Sequence, residues 1–214
     1  SDKVGGQTAY AKSDNPDDSL WGFESHGNRI ELFGKNGYVF KNEAFRSLGL
    51  IYSFSYQDHQ GIFGQREHYG EQKSAYFNSV FQDIIGTTAH KYRTGISVQA
   101  DDVTDQLSEI DAEGFLYRQN RVEIVPGAYA EYTFEPDVKF TMVAGLRVDY
   151  NSYFEKAFVT PRLNLRFMPT ENTTLRIGGG RGQRSPNVMS ENLNLLASSR
   201  TMDYSRIDEY MAEI

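Results

Sequence analysis

The feature that most constrains the fold is the alternation of apolar and polar side chains over residues 139–184. From 139 to 150 apolar side chains occupy every second position, and mostly polar ones lie between them. The same period of two recurs from 157 to 167. This period is typical of strands whose two faces meet different surroundings. The stretch therefore predicts two antiparallel strands with one apolar face and one polar face rich in arginine.

A turn and a glycine run accompany these strands. The turn covers 168–173 and includes Pro169, and the glycine run covers 178–182. The run lacks the Gly-Lys-Ser/Thr sequence of a phosphate-binding loop. We therefore expect these glycines to permit close approach by another part of the protein.

Earlier parts of the chain repeat the alternating pattern. The predicted strands cover 29–36, 46–57, 73–85, 90–101 and 121–134, with a weaker first strand at 3–12. In 46–57, Leu and aromatic residues share one face, while the other face carries mainly Ser and Gly, with Ile51 as the exception. Small residues on a polar face indicate that something packs closely against it. This pattern predicts a filled lumen.

The predicted connections alternate in length. Short turns at 86–89, 135–138 and 168–173 contrast with long loops at 58–72 and 102–120. No run approaches the ~18 apolar residues of a membrane helix, so this chain crosses a bilayer only as a closed barrel. Short periplasmic turns and longer extracellular loops are typical of such barrels. The predicted fold class is an all-β antiparallel up-and-down meander, part of a large transmembrane β-barrel.

Two readings of the aromatic residues near the strand ends stay open. They suit the aromatic girdles of an outer-membrane barrel, and they also suit cross-strand packing in a soluble sandwich. In the predicted organisation, 1–27 hold a strand and a polar loop, 28–185 hold consecutive barrel strands, and 186–214 form an extracellular loop or a short helix. The chain opens without a signal peptide and ends without a strand, so we expect a fragment or a processed product.

Composition excludes several classes of function. A net charge of -7 argues against nucleic acid as a partner, because phosphates require concentrated Lys and Arg. The absence of cysteine excludes disulfides, thiolate metal sites and thiol nucleophiles. No Ser/His/Asp set or paired carboxylates stand at a catalytic spacing. We therefore predict no enzymatic activity and no cofactor.

Three short stretches carry a family resemblance. They are TPRLNLR at 160–166, PTENTTLR at 169–176 and GRGQRSPN at 180–187. They resemble the mid-barrel signature of TonB-dependent outer-membrane receptors, particularly those of the Bacteroidetes type. The stretches 32–40, 126–132 and 145–150 fit the same family, so the resemblance covers most of residues 28–200.

The resemblance implies a 22-stranded barrel around a plug, located in the bacterial outer membrane. Such receptors import a scarce nutrient, such as an iron-siderophore, another metal chelate or a vitamin, with energy delivered by TonB. The implied partners are the plug domain, TonB, outer-membrane lipid and the small-molecule nutrient. We find no plug domain, TonB box or terminal strand in this sequence and expect the central part of a barrel. A soluble ligand-binding β-barrel, a glycan or peptide importer and an adhesive barrel are the alternatives.

Two sets of residues are candidate sites. Lumenal arginines are expected to dock the plug, or alternatively to line wet space: Arg147, Arg162, Arg166, Arg176, Arg181 and Arg184. Residues of the loop at 58–72 are expected to contact a metal chelate, or alternatively to be solvated: Asp58, His59, Glu67 and His68. Asp101, Asp102 and Asp105 are candidates for binding calcium. The acidic run at 13–19 lacks the ligand spacing of a calcium loop.

Overall fold

The computed structural model describes residues 2–6, 22–41, 43, 45–64, 66–109 and 116–185. Its regular structure consists of nine β-strands: β1 (Asp2–Gly6), β2 (Gly22–Val39), β3 (Ser47–Phe63), β4 (Arg66–Ile85), β5 (Thr87–Glu109), β6 (Tyr117–Asp137), β7 (Phe140–Asn151), β8 (Lys156–Thr170) and β9 (Thr173–Gly180). Within the described ranges, no helix is long and apolar enough to cross a membrane.

The nine strands form one sheet in the order of the sequence. Every strand pairs antiparallel with the next, from β1 to β9. The register runs continuously across the sheet, as in the row from Phe54 to Ala75, Ala100 and Ile124. The predicted all-β antiparallel up-and-down meander is confirmed.

The two faces of the sheet differ in chemistry. The outer face carries an apolar band that includes Leu48, Phe77, Ile96, Leu146, Leu163 and Ile177. Many of these side chains are exposed, with Ile96 at 61% and Ile177 at 71%. An apolar surface of this extent is unusual on a soluble monomer. The opposite, inner face carries mainly Gly and polar or charged side chains, among which Arg, Ser and Gln are frequent.

Most strands are longer than a membrane requires. About 9–11 residues cross a bilayer, whereas β4, β5 and β6 have 20, 23 and 21 residues. Beyond the apolar band the outer face becomes polar, as at Asp58, Glu71 and Asp102. We call this part the strand extension, which comprises residues 22–28, 58–63, 66–73, 102–109 and 117–121.

The sequence predicted two long loops, at 58–72 and 102–120, and this prediction is wrong because most of these residues lie in the strand extension. Residues 58–63 belong to β3 and residues 66–72 belong to β4, and Gly64 lies in the turn after β3. Gly64 has a φ of 62°, which favours glycine. Most of 102–120 belongs likewise to β5 and β6. The pattern failed because the inner face there mixes buried apolar side chains with polar ones, and the ladder hydrogen bonds of a strand do not depend on alternation.

The short turns lie together at the opposite edge, which we call the turn edge. The turn between β4 and β5 is shorter than expected, since Gly86, with a φ of 72°, alone separates the strands. Between β6 and β7, the Asp137 carboxylate accepts hydrogen bonds from the backbone of Lys139 and Phe140, at 2.8 and 3.0 Å. Arg46 pairs with Asp83 at 2.7 Å near this edge.

The remaining expected elements differ in extent. β1 ends at Gly6, and the rest of the strand expected over 3–12 lies outside the described residues. The loop at 13–19 and the loop or helix at 186–214 lie outside them too. Among the described residues, the buried apolar side chains lie on the inner face of the strand extension: Phe63, Val103, Leu107 and Tyr117.

Candidate functional site

A repeated arrangement of glycines and long side chains covers the inner face. Tyr129 on β6 lies directly opposite Gly95 on β5. Its hydroxyl donates to Asn78 Oδ1 on β4 at 3.1 Å. A Cβ at position 95 would lie 2.5 Å from the Tyr129 hydroxyl oxygen. Gly95 therefore lets the tyrosine lie flat across one strand and reach the next.

Arg147 repeats this arrangement one strand further along. It lies on β7 and donates from Nη2 to Ser97 Oγ on β5 at 2.8 Å, passing over Gly127 on β6. Its guanidinium also pairs with Asp149 at 2.6 Å. Arg147 is thus held by groups of the wall itself.

Arg162 makes the third such crossing. It lies on β8 opposite Gly145, and its guanidinium donates to the Glu131 carboxylate on β6. A Cβ at position 145 would lie 2.9 Å from Arg162 Nε. Glu131 also lies 3.7 Å from Arg93. These three glycines are therefore covered by side chains of the wall itself.

Several cavities lie on this inner face, and two of them share a lining residue. One, of about 430 Å³, is lined by residues that include Arg93, Glu131, Arg147, Arg162 and Arg181. The other, of about 420 Å³, is lined by residues that include Gln99, Asp101, Arg121, Glu123, Asn151 and Arg184. Arg147 borders both. The inner face thus offers charged and amide groups along a continuous wall.

The segment after β9 passes back across the inner face. Ser185 donates from Oγ to Glu123 Oε1 on β6 at 2.6 Å. Asn151 donates from Nδ2 to the same oxygen at 2.6 Å. Glu123 and Asn151 are only 5% and 4% exposed. Sequence patterns missed this cluster, because its members are separated by 28 and 62 residues.

A comparison with protein families identifies the wall. The family described as TonB dependent receptor-like, beta-barrel, matches residues 2–204. The chain belongs to this family. Comparisons with curated proteins and with solved structures returned no significant match. TonB-dependent receptors are outer-membrane receptors that act in transport, together with a plug domain and TonB. The Bacteroidetes type stays a prediction.

In this receptor wall, the six arginines that were predicted to dock the plug have different surroundings. Arg147 and Arg162 are paired within the wall, with Asp149 and Glu131. Arg166 and Arg176 face each other across β8 and β9 on the inner face. Arg181 and Arg184 follow β9 and line the two cavities. Arg147 and Arg162 thus have carboxylate partners within the wall itself.

The predicted nutrient-binding loop is instead part of the strand extension, and its four residues do not converge. His59 and His68 lie on the inner face, with ring centroids 5.7 Å apart. Asp58 and Glu67 lie on the outer face, where they accept hydrogen bonds from Asn28 at 3.1 Å and Gln60 at 2.7 Å. These two carboxylates therefore cannot share a site with the histidines.

The two histidines belong to a cluster on the inner face of the strand extension. His59 Nε2 lies 2.8 Å from Ser25 Oγ, and His68 Nε2 lies 3.1 Å from Asp105 Oδ1. His68 and Asp105 are each 1% exposed. Burial lowers the pKa of His59, and the neighbouring His68 lowers it further. A Cβ at Gly70 would lie 3.3 Å from both Asp105 and His68, so this glycine leaves room for the cluster.

The three aspartates considered for calcium are separated as well. Asp101 accepts a hydrogen bond from Ser74 at 2.5 Å, and Asp105 contacts His68. Asp102 lies on the outer face, because successive side chains alternate along β5. In the described part of the chain, no group of three metal-ligating side chains is arranged to hold an ion.

Proposed function

We propose that this chain forms part of the barrel wall of an active-transport receptor in the bacterial outer membrane. The receptor binds a scarce nutrient, namely an iron-siderophore, another metal chelate or a vitamin, and imports it with energy delivered by TonB. The observation that carries the proposal is the pairing of an exposed apolar outer face with a polar, cavity-bearing inner face in a chain of this receptor family.

The difference between the two edges of the sheet supports an orientation. Outer-membrane barrels have short periplasmic turns and more elaborate extracellular parts. By this rule the turn edge faces the periplasm, and the strand extension projects outside the cell. The nutrient then approaches along the strand extension and meets the polar inner face.

The His59–His68 cluster is our candidate for contact with a metal chelate. The Nδ1 atoms of both rings are buried without a hydrogen-bond partner. A buried polar atom without a partner costs free energy, which a ligand donor or metal would offset. The cluster lies in the strand extension, on the side from which the nutrient would come.

A second candidate function is the import of a glycan or peptide. The lining of the 420 Å³ cavity balances Asp101, Glu123 and Asp149 against Arg121, Arg147 and Arg184. The same lining includes four amide side chains: Gln72, Gln99, Asn151 and Gln183. A balanced surface with many hydrogen-bonding groups suits an uncharged polar ligand.

The deciding experiment is to purify the receptor from its native membrane and to identify the bound small molecule by mass spectrometry and metal analysis. A metal chelate or vitamin supports the first candidate, and an oligosaccharide or peptide supports the second. Uptake of that molecule is then measured in a strain that has TonB and in a strain that lacks it. Equal uptake in both strains would contradict active transport. A chain that stays monomeric and folded without detergent would instead support the soluble-barrel alternative.

A further inference from the structure

The end of the wall formed by β8, β9 and residues 181–185 concentrates positive charge. Residues 156–185 contain one acidic residue, Glu171, which lies in the turn between the two strands. The same residues contain six cations: Lys156, Arg162, Arg166, Arg176, Arg181 and Arg184. The complete chain has a net charge of -7, so this segment is opposite in sign to the rest.

Arg166 and Arg176 are not neutralised by the described wall. Arg162 reaches the Glu131 carboxylate, but neither Arg166 nor Arg176 has an acidic side chain within ion-pair distance among the described residues. Arg166 Nη2 contacts only the sulfur of Met168, at 2.8 Å, and sulfur is a weak acceptor. Arg166 Nε is buried without a hydrogen-bond partner.

Arg166 and Arg176 are also direct neighbours. They are cross-strand partners on β8 and β9, and like charges directly opposite each other destabilise a sheet. Together with Thr141 and Asn164, they line a cleft of about 200 Å³ on the inner face. A Cβ at Gly178 would lie 2.5 Å from Asn164 Oδ1, so this glycine lets the amide lie against the floor of the cleft.

We propose that Arg166 and Arg176 form a docking site for a carboxylate of the plug domain. A carboxylate between the two guanidinium groups removes their repulsion and accepts charge-assisted hydrogen bonds from both. The proposal rests on the proposed function, since it takes the plug to fill the lumen that this wall faces. Within the expected docking set it selects these two neighbouring arginines, because Arg147 and Arg162 are already paired within the wall and Arg181 and Arg184 line the larger cavities.

The position of the cleft favours the plug over a nutrient anion. Arg166 and Arg176 lie close to Thr170 and Thr173, which flank the turn between β8 and β9 at the turn edge. The larger cavities are lined by residues farther from that edge. A nutrient that enters from the strand extension meets those cavities first, and the cleft remains for a protein group inside the lumen.

The test uses the intact receptor with its plug. A photo-crosslinking amino acid replaces Thr141, which lines the cleft and carries no charge, and the crosslinked peptides are identified by mass spectrometry. We expect a crosslink to a plug segment that contains Asp or Glu. We also expect its yield to fall at least severalfold when Arg166→Gln and Arg176→Gln are combined. A crosslink to barrel, nutrient or lipid, or a yield that does not respond to the double substitution, would overturn the proposal.

Limited proteolysis of the plug provides a second readout. The double substitution is expected to speed cleavage of the plug about tenfold, the factor that corresponds to about 1.4 kcal/mol of charge-assisted hydrogen bonding. Arg29→Gln is the matched control, because Arg29 is exposed on the same face and pairs with Glu31 at 2.8 Å. If the double variant does not assemble, the single substitution Arg176→Gln is measured in the same two ways.

Uptake by the unsubstituted receptor separates this proposal from the proposed function. If uptake depends on TonB but the crosslink lies elsewhere, only the docking site is wrong. If the crosslink reaches an acidic plug segment but no nutrient is bound or imported, the docking site stands and the proposed function fails.

Discussion

The Arg162 guanidinium passes over Gly145 and pairs with Glu131, which lies two strands away on the inner face. Arg147 and Tyr129 make equivalent crossings over Gly127 and Gly95. Each crossing joins three strands through one side chain. The wall of the lumen is therefore braced by side chains that lie flat on it, and glycine is the residue that permits this.

Gly95 should be the least replaceable of these glycines. A Cβ there would overlap the backbone carbonyl oxygen of Ser79, which cannot move without disturbing β4. At Gly145 the clash is with the flexible Arg162 side chain. We expect Gly95→Ala to lower the free energy of unfolding by about 2 kcal/mol or more, and Gly145→Ala by about 1 kcal/mol. Urea unfolding in lipid vesicles measures both.

Gly37→Ala is the control for this comparison, because no atom lies within 4 Å of a Cβ at that position. If Gly37→Ala destabilises the barrel as much as Gly95→Ala does, the crossing arrangement does not explain the requirement for glycine.

The Glu131–Arg162 pair should show measurable coupling. The Glu131 side chain is 10% exposed and that of Arg162 is 57% exposed. A partly exposed charged pair contributes about 1 kcal/mol. A double-mutant cycle with Glu131→Gln and Arg162→Gln should give coupling of this size. The same cycle with Arg29→Gln in place of Arg162→Gln should give none, and equal values in the two cycles would contradict a specific pair.

Asn151→Asp should release the segment that follows β9. Asn151 Nδ2 donates to Glu123 at 2.6 Å and to Ser185 at 3.2 Å. A carboxylate at position 151 would face the Glu123 carboxylate, which converts a buried hydrogen bond into repulsion. We expect a loss of about 3 kcal/mol and faster protease cleavage after residue 180. Asn36→Asp, at an exposed position, should leave cleavage unchanged.

The strand extension should weaken in acid. Burial, and then the neighbouring His68, lower the pKa of His59 from its usual value of 6.5. Lys3 lowers this pKa further, whereas Asp105 and Asp58 raise it. The unfolded segment binds a proton more readily than the folded one. The contribution of neutral His59 is therefore present above pH 6.5 and is lost as the pH falls through the lowered value.

Hydrogen exchange of β3 and β4 at about pH 7.5 and about pH 5 measures this effect. The strand extension should lose protection at the lower pH more than the segments that carry the apolar band. His59→Gln should reduce the difference between the two conditions, since glutamine keeps a polar group but does not titrate. An unchanged difference in His59→Gln would assign the acid sensitivity to another group.

The sequence by itself determined the features that depend on local pattern. Alternation at a period of two defined the strands that carry the apolar band, because the bilayer and the lumen impose opposite chemistry on neighbouring residues. The turns after Asp137 and Thr170 could be predicted from the sequence, because turn residues fix the backbone within a few positions of themselves. These features were sufficient to predict the meander, whereas the resemblance to a receptor barrel rested on the short stretches at 160–166, 169–176 and 180–187.

Only the tertiary structure decided what the inner face does. The inner face of the strand extension mixes apolar with polar side chains, so the sequence shows no clear alternation there and its strands were expected to be loops. The pairs Arg162–Glu131 and His68–Asp105 join residues 31 and 37 positions apart. Such pairs depend on the register between strands, and a shift of one residue would send each side chain to the other face. Register is a property of the assembled sheet, which is why the arginines looked alike in the sequence and proved different in the structure.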